Sequence, residues 1–212
     1  MKEIAQLLVE HDIVRVNFDN PFKWTSGISS PIYCDCRELM GLVEPRETVV
    51  KAFLELIKKE NLLRDIISGT ATAGISWAAS VSDKLRVPML YVRSKPKGHG
   101  AGKMVEGRGE KNKNVLVIED AISTGGSSAV SAEALRTELD AKVSHILAIF
   151  SWSTPLIAEA EKKHQVEFLT LTQFDEIVEA LYESKKINEL ERKSLDNFHN
   201  DPAGWGRAER IS

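Results

Sequence analysis

Short apolar runs alternate along this chain with stretches of helical periodicity, and that alternation constrains the fold more than any other feature. The runs are Ile66–Ser68, Pro88–Val92, Val115–Ile118, His145–Phe150 and Val166–Leu169. Each is short, rich in β-formers and flanked by turn residues. Between and before them lie helical patterns. Val49, Val50, Phe53, Leu54 and Ile57 recur at helical spacing behind Pro45, a good first-turn residue. Gly74–Leu85, Ser127–Leu139 and Pro155–His164 also read as helices, the last with Thr154 as its N-cap. Strands that are apolar almost throughout must be buried on both sides. The expected fold class is therefore α/β, a central parallel sheet with helices on both faces.

The ends of the chain depart from this rhythm. The first forty residues read as a helix followed by irregular and strand-like structure, and they are expected to cap the sheet. From about Gln173 the tail is helical and charged. At 212 residues the chain suits one domain with embellishments. We read residues 1–212 as that domain, with 1–42 as an N-terminal addition and 94–109 as a mobile loop. That loop contains five glycines between Lys95 and Gly109 and no core stripe. From Arg93 to Lys113 there are seven Lys and Arg against two Glu, in a chain of net charge −3. A basic, glycine-rich excursion is suited to folding over an anion, with lysine, arginine and His99 as donors.

The segment "VLVIEDAISTGGSS" (Val115–Ser128) carries most of the chemistry. In an open parallel sheet ligands bind beyond the carboxyl ends of the strands. The strand delivers Glu119 and Asp120 to that edge, and a run of glycines and hydroxyls turns the chain into a helix. Converging backbone N–H groups, hydroxyl donors and the helix N-terminus suit a phosphate monoester. The acid pair suits the vicinal hydroxyls of a sugar. Together they predict a ribose 5-phosphate site. "IISGTATAGIS" (Ile66–Ser76) repeats the strand–glycine–hydroxyl–helix pattern and would hold a second anionic group. No lysine follows Gly126, as a Walker A loop requires, and no dinucleotide fingerprint is present.

Net charge gives no reason to expect nucleic-acid or membrane binding, and no apolar stretch approaches membrane-spanning length. Cys34 and Cys36, the only cysteines, are too close for an unstrained disulfide and too few for a zinc site. Reduced, structural thiols and a cytoplasmic setting are expected.

The Val115–Ser128 segment resembles the phosphoribosyl diphosphate signature of the type I phosphoribosyltransferases. "FKWTSGISSPIYCDCREL" (Phe22–Leu39) and "YVRSKPKGHGAGKMVEG" (Tyr91–Gly107) are similar to the orotate-using branch of that family. The resemblance implies transfer of ribose 5-phosphate from phosphoribosyl diphosphate to orotate, in pyrimidine nucleotide synthesis. It implies that Glu119, Asp120, Ala121, Ile122, Ser123, Thr124, Gly125, Gly126 and Ser127 bind the sugar phosphate, with Ser123 also reaching orotate. Arg93, Lys97 and His99 match lid positions that contact the diphosphate. Lys97, His99, Glu119 and Asp120 are the implied catalytic residues. Ser26–Ile28 and "PIYCD" would form part of a hood over the base. Lid residues reach the partner's site in the family, which implies a homodimer. Mg²⁺ is the implied cofactor, held mainly through substrate oxygens rather than by a protein cage. The pattern departs from one branch of the family at Thr25, Ser94 and Thr72-Ala73, and no arginine appears in "IFSWSTP". Two other functions use the same fold: transfer to a purine base, and non-catalytic nucleotide sensing.

Overall fold

This computed structural model describes residues 2–23, 27–96 and 102–205. In chain order, α1 (Lys2–Glu10) precedes four short strands, β1 (Val14–Val16), β2 (Phe22–Lys23), β3 (Ser29–Ser30) and β4 (Ile32–Cys34). A 3₁₀ turn over Cys36–Gly41 leads into α2 (Val43–Lys59). Then follow β5 (Ile66–Thr70), α3 (Gly74–Leu85), β6 (Met89–Val92), β7 (Val105–Glu106), β8 (Val115–Ile122), α4 (Gly126–Leu139), β9 (His145–Ser151), α5 (Pro155–His164) and β10 (Glu167–Gln173). Two helices, α6 (Phe174–Glu183) and α7 (Glu189–Asn200), close the described chain.

The residues group into two compact units, 1–38 with 172–212, and 39–171. The second holds the predicted α/β layer. Its sheet has the order β10-β9-β8-β5-β6-β7. β5 pairs parallel with both β6 and β8, and β8 pairs parallel with β9. β7 runs antiparallel to β6, so the sheet is mostly rather than wholly parallel. Every residue of β5 is buried, as are Val115–Glu119 of β8 and all of β9 after His145. Such strands need cover on both faces, and they have it. Ile66, Val92, Val115 and Val117 pack with Ala132 and Leu135 of α4. Gly69 lies against the backbone of Gly74 and Ile75 in α3. Gly69 pairs with Ile118, the neighbour of Val117, and adjacent strand residues face opposite ways. The helices α3 and α4 therefore cover opposite faces.

Several bounds differ from the sequence expectation. β5 continues to Thr70, and β8 runs four residues past Ile118. The helices over Gly74–Leu85 and Pro155–His164 have the expected bounds, and α4 starts one residue early, at Gly126.

In the first unit, β1 pairs antiparallel with β4 and β2 with β3. Lys186 donates to Val9 O and Asp12 Oδ1, both at 2.6 Å, tying the tail to the end of α1. Phe174 stacks on His199 with ring centroids 4.4 Å apart. The thiols of Cys34 and Cys36 are free and 3.7 Å apart.

Candidate functional site

Topology singles out one crevice in the sheet. From β5 the chain goes outward to β6 and β7, then returns to β8 on the other side of β5. Strand order reverses between β5 and β8, and ligands of open α/β sheets bind at such a point, beyond the strand carboxyl ends. The loops leaving β5 and β8 are the two picked out by sequence.

The β5 loop is drawn tight by glycine. A methyl group on Gly69 would sit 2.7 Å from Gly74 O, and one on Gly74 would collide with Ile118 O and approach Glu119 Cα to 3.2 Å. Real side chains there would push α3 off the sheet. The start of α3 thus lies directly beside the acidic end of β8. Ala71 N–H donates to Val92 O at 2.8 Å, and the Ala71–Thr72 peptide is cis. No side chain caps α3, whose N-cap position is Ala73.

Glu119 and Asp120 were expected just past a strand end. They lie inside β8, where Glu119 pairs with Ala148, Ala121 with Phe150 and Ile122 with Ser151. Pairing with β9 keeps the strand regular through polar residues that, read locally, resemble a loop. The two acids are not equivalent. Glu119 is 6% exposed, while Asp120 is half-buried. Glu119 Oε2 accepts from Ser128 Oγ at 3.3 Å, and its Oε1 from Asp120 N–H at 3.0 Å. Burial, reinforced by a hydrogen bond with the Asp120 carboxyl and by its charge, pushes the Glu119 pKa up to about 9. The shift favours the protonated form of Glu119. A neutral Glu119 would lessen the repulsion that two ionised carboxylates would exert on an anion at the neighbouring loop.

Ser123, Thr124 and Gly125 form the turn, and α4 begins at Gly126. Gly125 occupies the N-cap position at φ 76°, with no side-chain cap among the described residues. A Cβ there would lie 2.7 Å from two atoms of the Phe168 ring, so both backbone and packing demand glycine. At Gly126 the nearest atom to a Cβ is Thr124 Oγ1 at 3.6 Å, which leaves open space above the helix start. Ser123, Thr124, Gly126 and Ser127 are exposed; Ser128 is buried. An uncapped helix N-terminus offers several N–H donors and a partial positive charge to an anion.

Thr154 corrects another expectation. It occupies the N-cap position of α5 but makes no cap hydrogen bond. Its hydroxyl donates instead to Ser123 O at 2.6 Å. Neither this bond nor that of Ser128 is visible in sequence, because each depends on which loops the sheet brings together.

The segment read as a lid divides. Lys97 and His99 lie outside the described residues, as does Ser26 of the hood block. Arg93, at the end of β6, forms an ion pair with Glu106 of β7 at 3.5 Å, and its N–H donates to Met104 O at 3.0 Å. Met104 and Val105 pack on the sheet core, and Glu138 Oε1 accepts from Met104 N–H at 2.7 Å. A Cβ on Gly107 would lie 2.8 Å from Leu90 Cδ2, and one on Gly109 would lie 2.9 Å from Leu139 Cδ1. These two glycines serve close packing rather than hinging. In the first unit, the Asp35 carboxylate binds Arg37 through Nε at 2.6 Å and Nη2 at 2.5 Å, which lowers its pKa. Tyr33 OH donates to the same carboxylate at 3.2 Å and its ring lies 5.5 Å from that of Phe22.

Among the described residues no group of three or more His, Cys, Asp or Glu is arranged to hold a metal, and no helix is long and apolar enough to cross a membrane.

Comparison with known proteins follows the same lines. Residues 44–183 match the family described as phosphoribosyl transferase domain. The chain is 42% identical over 197 residues to an orotate phosphoribosyltransferase of Oceanobacillus iheyensis, covering 93% of this chain and 97% of that one. It is 40% identical over 203 residues to an orotate phosphoribosyltransferase of Coxiella burnetii, covering 96% and 97%. Among solved structures, that of orotate phosphoribosyltransferase from Aeropyrum pernix superposes with a TM-score of 0.75 at 26% identity, over 87% of this chain and 99% of that chain.

Proposed function

The chain belongs to the phosphoribosyl transferase family, and from that premise we propose that it transfers ribose 5-phosphate from phosphoribosyl diphosphate to orotate, yielding orotidine 5′-phosphate and diphosphate. The observation that carries this reading is the acid pair of β8 running straight into an uncapped helix N-terminus at the sheet's switch point. In it, Ala121, Ile122, Ser123, Thr124, Gly125, Gly126 and Ser127 line the 5-phosphate and ribose. Exposed N–H groups of the loop and of the first turn of α4 take the phosphate. Asp120 accepts from the ribose hydroxyls, and Glu119 adds a proton-bearing carboxyl beside it. Ser123, at the head of the loop, also reaches orotate.

Transfer replaces a C–O bond at the anomeric carbon by a C–N bond to the base. Orotate supplies its own anionic nitrogen, so the protein need supply no nucleophile. Orientation and electrostatics carry the rate. Asp120 offsets positive charge developing on the sugar, and Arg93, Lys97 and His99 stabilise the departing diphosphate. Mg²⁺ is a hard cation that often binds through substrate phosphates, and Asp120 with the loop hydroxyls provides oxygen donors fitting that mode. When bound, it would neutralise charge on the diphosphate. The residue roles carried by Lys97 and His99 include donation to the site of a partner copy, which makes the working unit a homodimer. A cytoplasmic setting agrees with the free thiols of Cys34 and Cys36.

The test is the loss of orotate absorbance with and without phosphoribosyl diphosphate and Mg²⁺, run beside adenine and hypoxanthine. Loss requiring both additions, with orotate alone among the bases, is the expected result. Turnover of a purine without orotate overturns the choice of base, and salt-dependent nucleic-acid binding without diphosphate release overturns the enzymatic reading.

A further inference from the structure

The β9–α5 turn holds the β8 loop through two successive peptide groups. Trp152 N–H donates to Ile122 O at 2.9 Å, and Thr154 Oγ1 donates to Ser123 O at 2.6 Å. Carbonyls of successive residues in a regular strand point to opposite sides. Here both turn toward the same short segment, so the chain leaves its extended course at Ser123. Both peptides are trans. In a planar trans peptide the N–H points opposite to the C=O. Fixing the Ile122 and Ser123 carbonyls therefore directs the Ser123 and Thr124 N–H groups away from the β9–α5 turn. Successive N–H groups turned to one side form an anion-receiving concavity.

Thr154 gives up something to do this. A threonine at the N-cap ordinarily accepts from its own helix, and that contact contributes about 1 kcal/mol. Thr154 has the extended backbone of an N-cap, at φ −76° and ψ 151°, yet no cap bond forms. Its hydroxyl reaches a carbonyl 31 residues away in sequence. Phe168 and Ala160 brace the next part of the loop, closing on Gly125.

We infer that Thr154 is a positioning residue, whose hydroxyl holds the Ser123 carbonyl so that the following loop amides face the 5-phosphate of phosphoribosyl diphosphate. The inference rests on the reading of Ser123–Ser127 as the phosphate loop. Valine at 154 keeps the shape and β-branching and removes only the donor. Serine restores the donor.

Steady-state kinetics of wild type, T154V and T154S would be measured with phosphoribosyl diphosphate varied at saturating orotate. Amide chemical shifts of Ser123–Ser127 would be followed during titration with ribose 5-phosphate. One intramolecular hydrogen bond is lost, so T154V is expected to raise KM for phosphoribosyl diphosphate about 3- to 10-fold. Its kcat should stay within about twofold, and T154S should return KM to near the wild-type value. Equal KM in T154V and wild type overturns the inference, as does a T154S protein that behaves like T154V. The titration distinguishes the phosphate site from the role of Thr154. Loop amides unmoved by ribose 5-phosphate in wild type bring down the phosphate reading and the role of Thr154 with it. Loop amides that shift in wild type, and equally in T154V at the same affinity, bring down Thr154 alone.

Discussion

Two helices of this chain begin in opposite ways. In α7 the Asn188 side chain accepts from Leu190 N–H at 2.9 Å and Glu191 N–H at 3.0 Å, and the Glu191 carboxylate accepts from Asn188 N–H at 2.8 Å. That reciprocal box satisfies the helix start from within. In α4 the N-cap is Gly125, which has no side chain to offer. The same contrast runs through the two units. α6 has a capping box with Gln173 and Glu176, whereas α3 and α5 share the open start of α4. A cap contributes about 1 kcal/mol, so three strand-to-helix turns without one are a consistent departure. In α6 and α7 the first N–H groups are satisfied by the local sequence, whereas α2, behind Leu42, also starts without a side-chain cap. At the starts of α3, α4 and α5 no side chain among the described residues caps the helix, and in the proposed function the open start of α4 receives the phosphate.

The strongest challenge to this contrast is Gly125→Ala. It adds a methyl against Phe168 and imposes a left-handed backbone on alanine. Strain of roughly 1–3 kcal/mol and overpacking of similar size predict a loss of at least about 2 kcal/mol, read as a lower urea midpoint. Unchanged stability would mean that the tight turn is not what reserves this position for glycine.

The pH dependence of stability tests the buried acid beneath α4. Between pH about 4.5 and about 9 folded Glu119 keeps a proton that the unfolded chain releases. The folded state then binds more protons, so this group lowers stability as pH rises through that window. Glu119→Gln should flatten the slope and make the variant more stable than wild type at alkaline pH, by on the order of a few kcal/mol. Parallel pH–stability curves for the two proteins would show Glu119 ionised in the fold. The smallest effect is expected at the capped end. Asn188→Ala should cost about 1 kcal/mol in urea unfolding and leave KM for phosphoribosyl diphosphate unchanged. A shift in KM would mean that the α7 cap is not purely structural.

How much of this was legible in advance differs by residue. The α/β class, the bounds of α3 and α5, and the two loops of the switch point follow from local periodicity and turn chemistry. The reach of β8 through Glu119 and Asp120 does not, because its cause is the pairing of Glu119, Ala121 and Ile122 with β9. Nor does the inequality of the acids, which depends on burial under α4 and on Ser128. Two glycines side by side look alike in sequence, yet Gly125 is required by Phe168, 43 residues away, and Gly126 faces open space. Thr154 shows the limit most plainly. Its residue type and position predict a cap, and a loop from another strand claims its hydroxyl. Lys97 and His99 rest on the family resemblance alone.

The return of the chain at β7 has a consequence for how the protein tolerates change. Val92 pairs with Val105, and Glu138 holds the amide of Met104, so the stretch from Ser94 to Lys103 leaves and rejoins the fold at adjacent points. Doubling the length of such a stretch costs only about 0.6 kcal/mol in closure entropy. A change in the length of this stretch is therefore expected to leave the register of every core strand as it is.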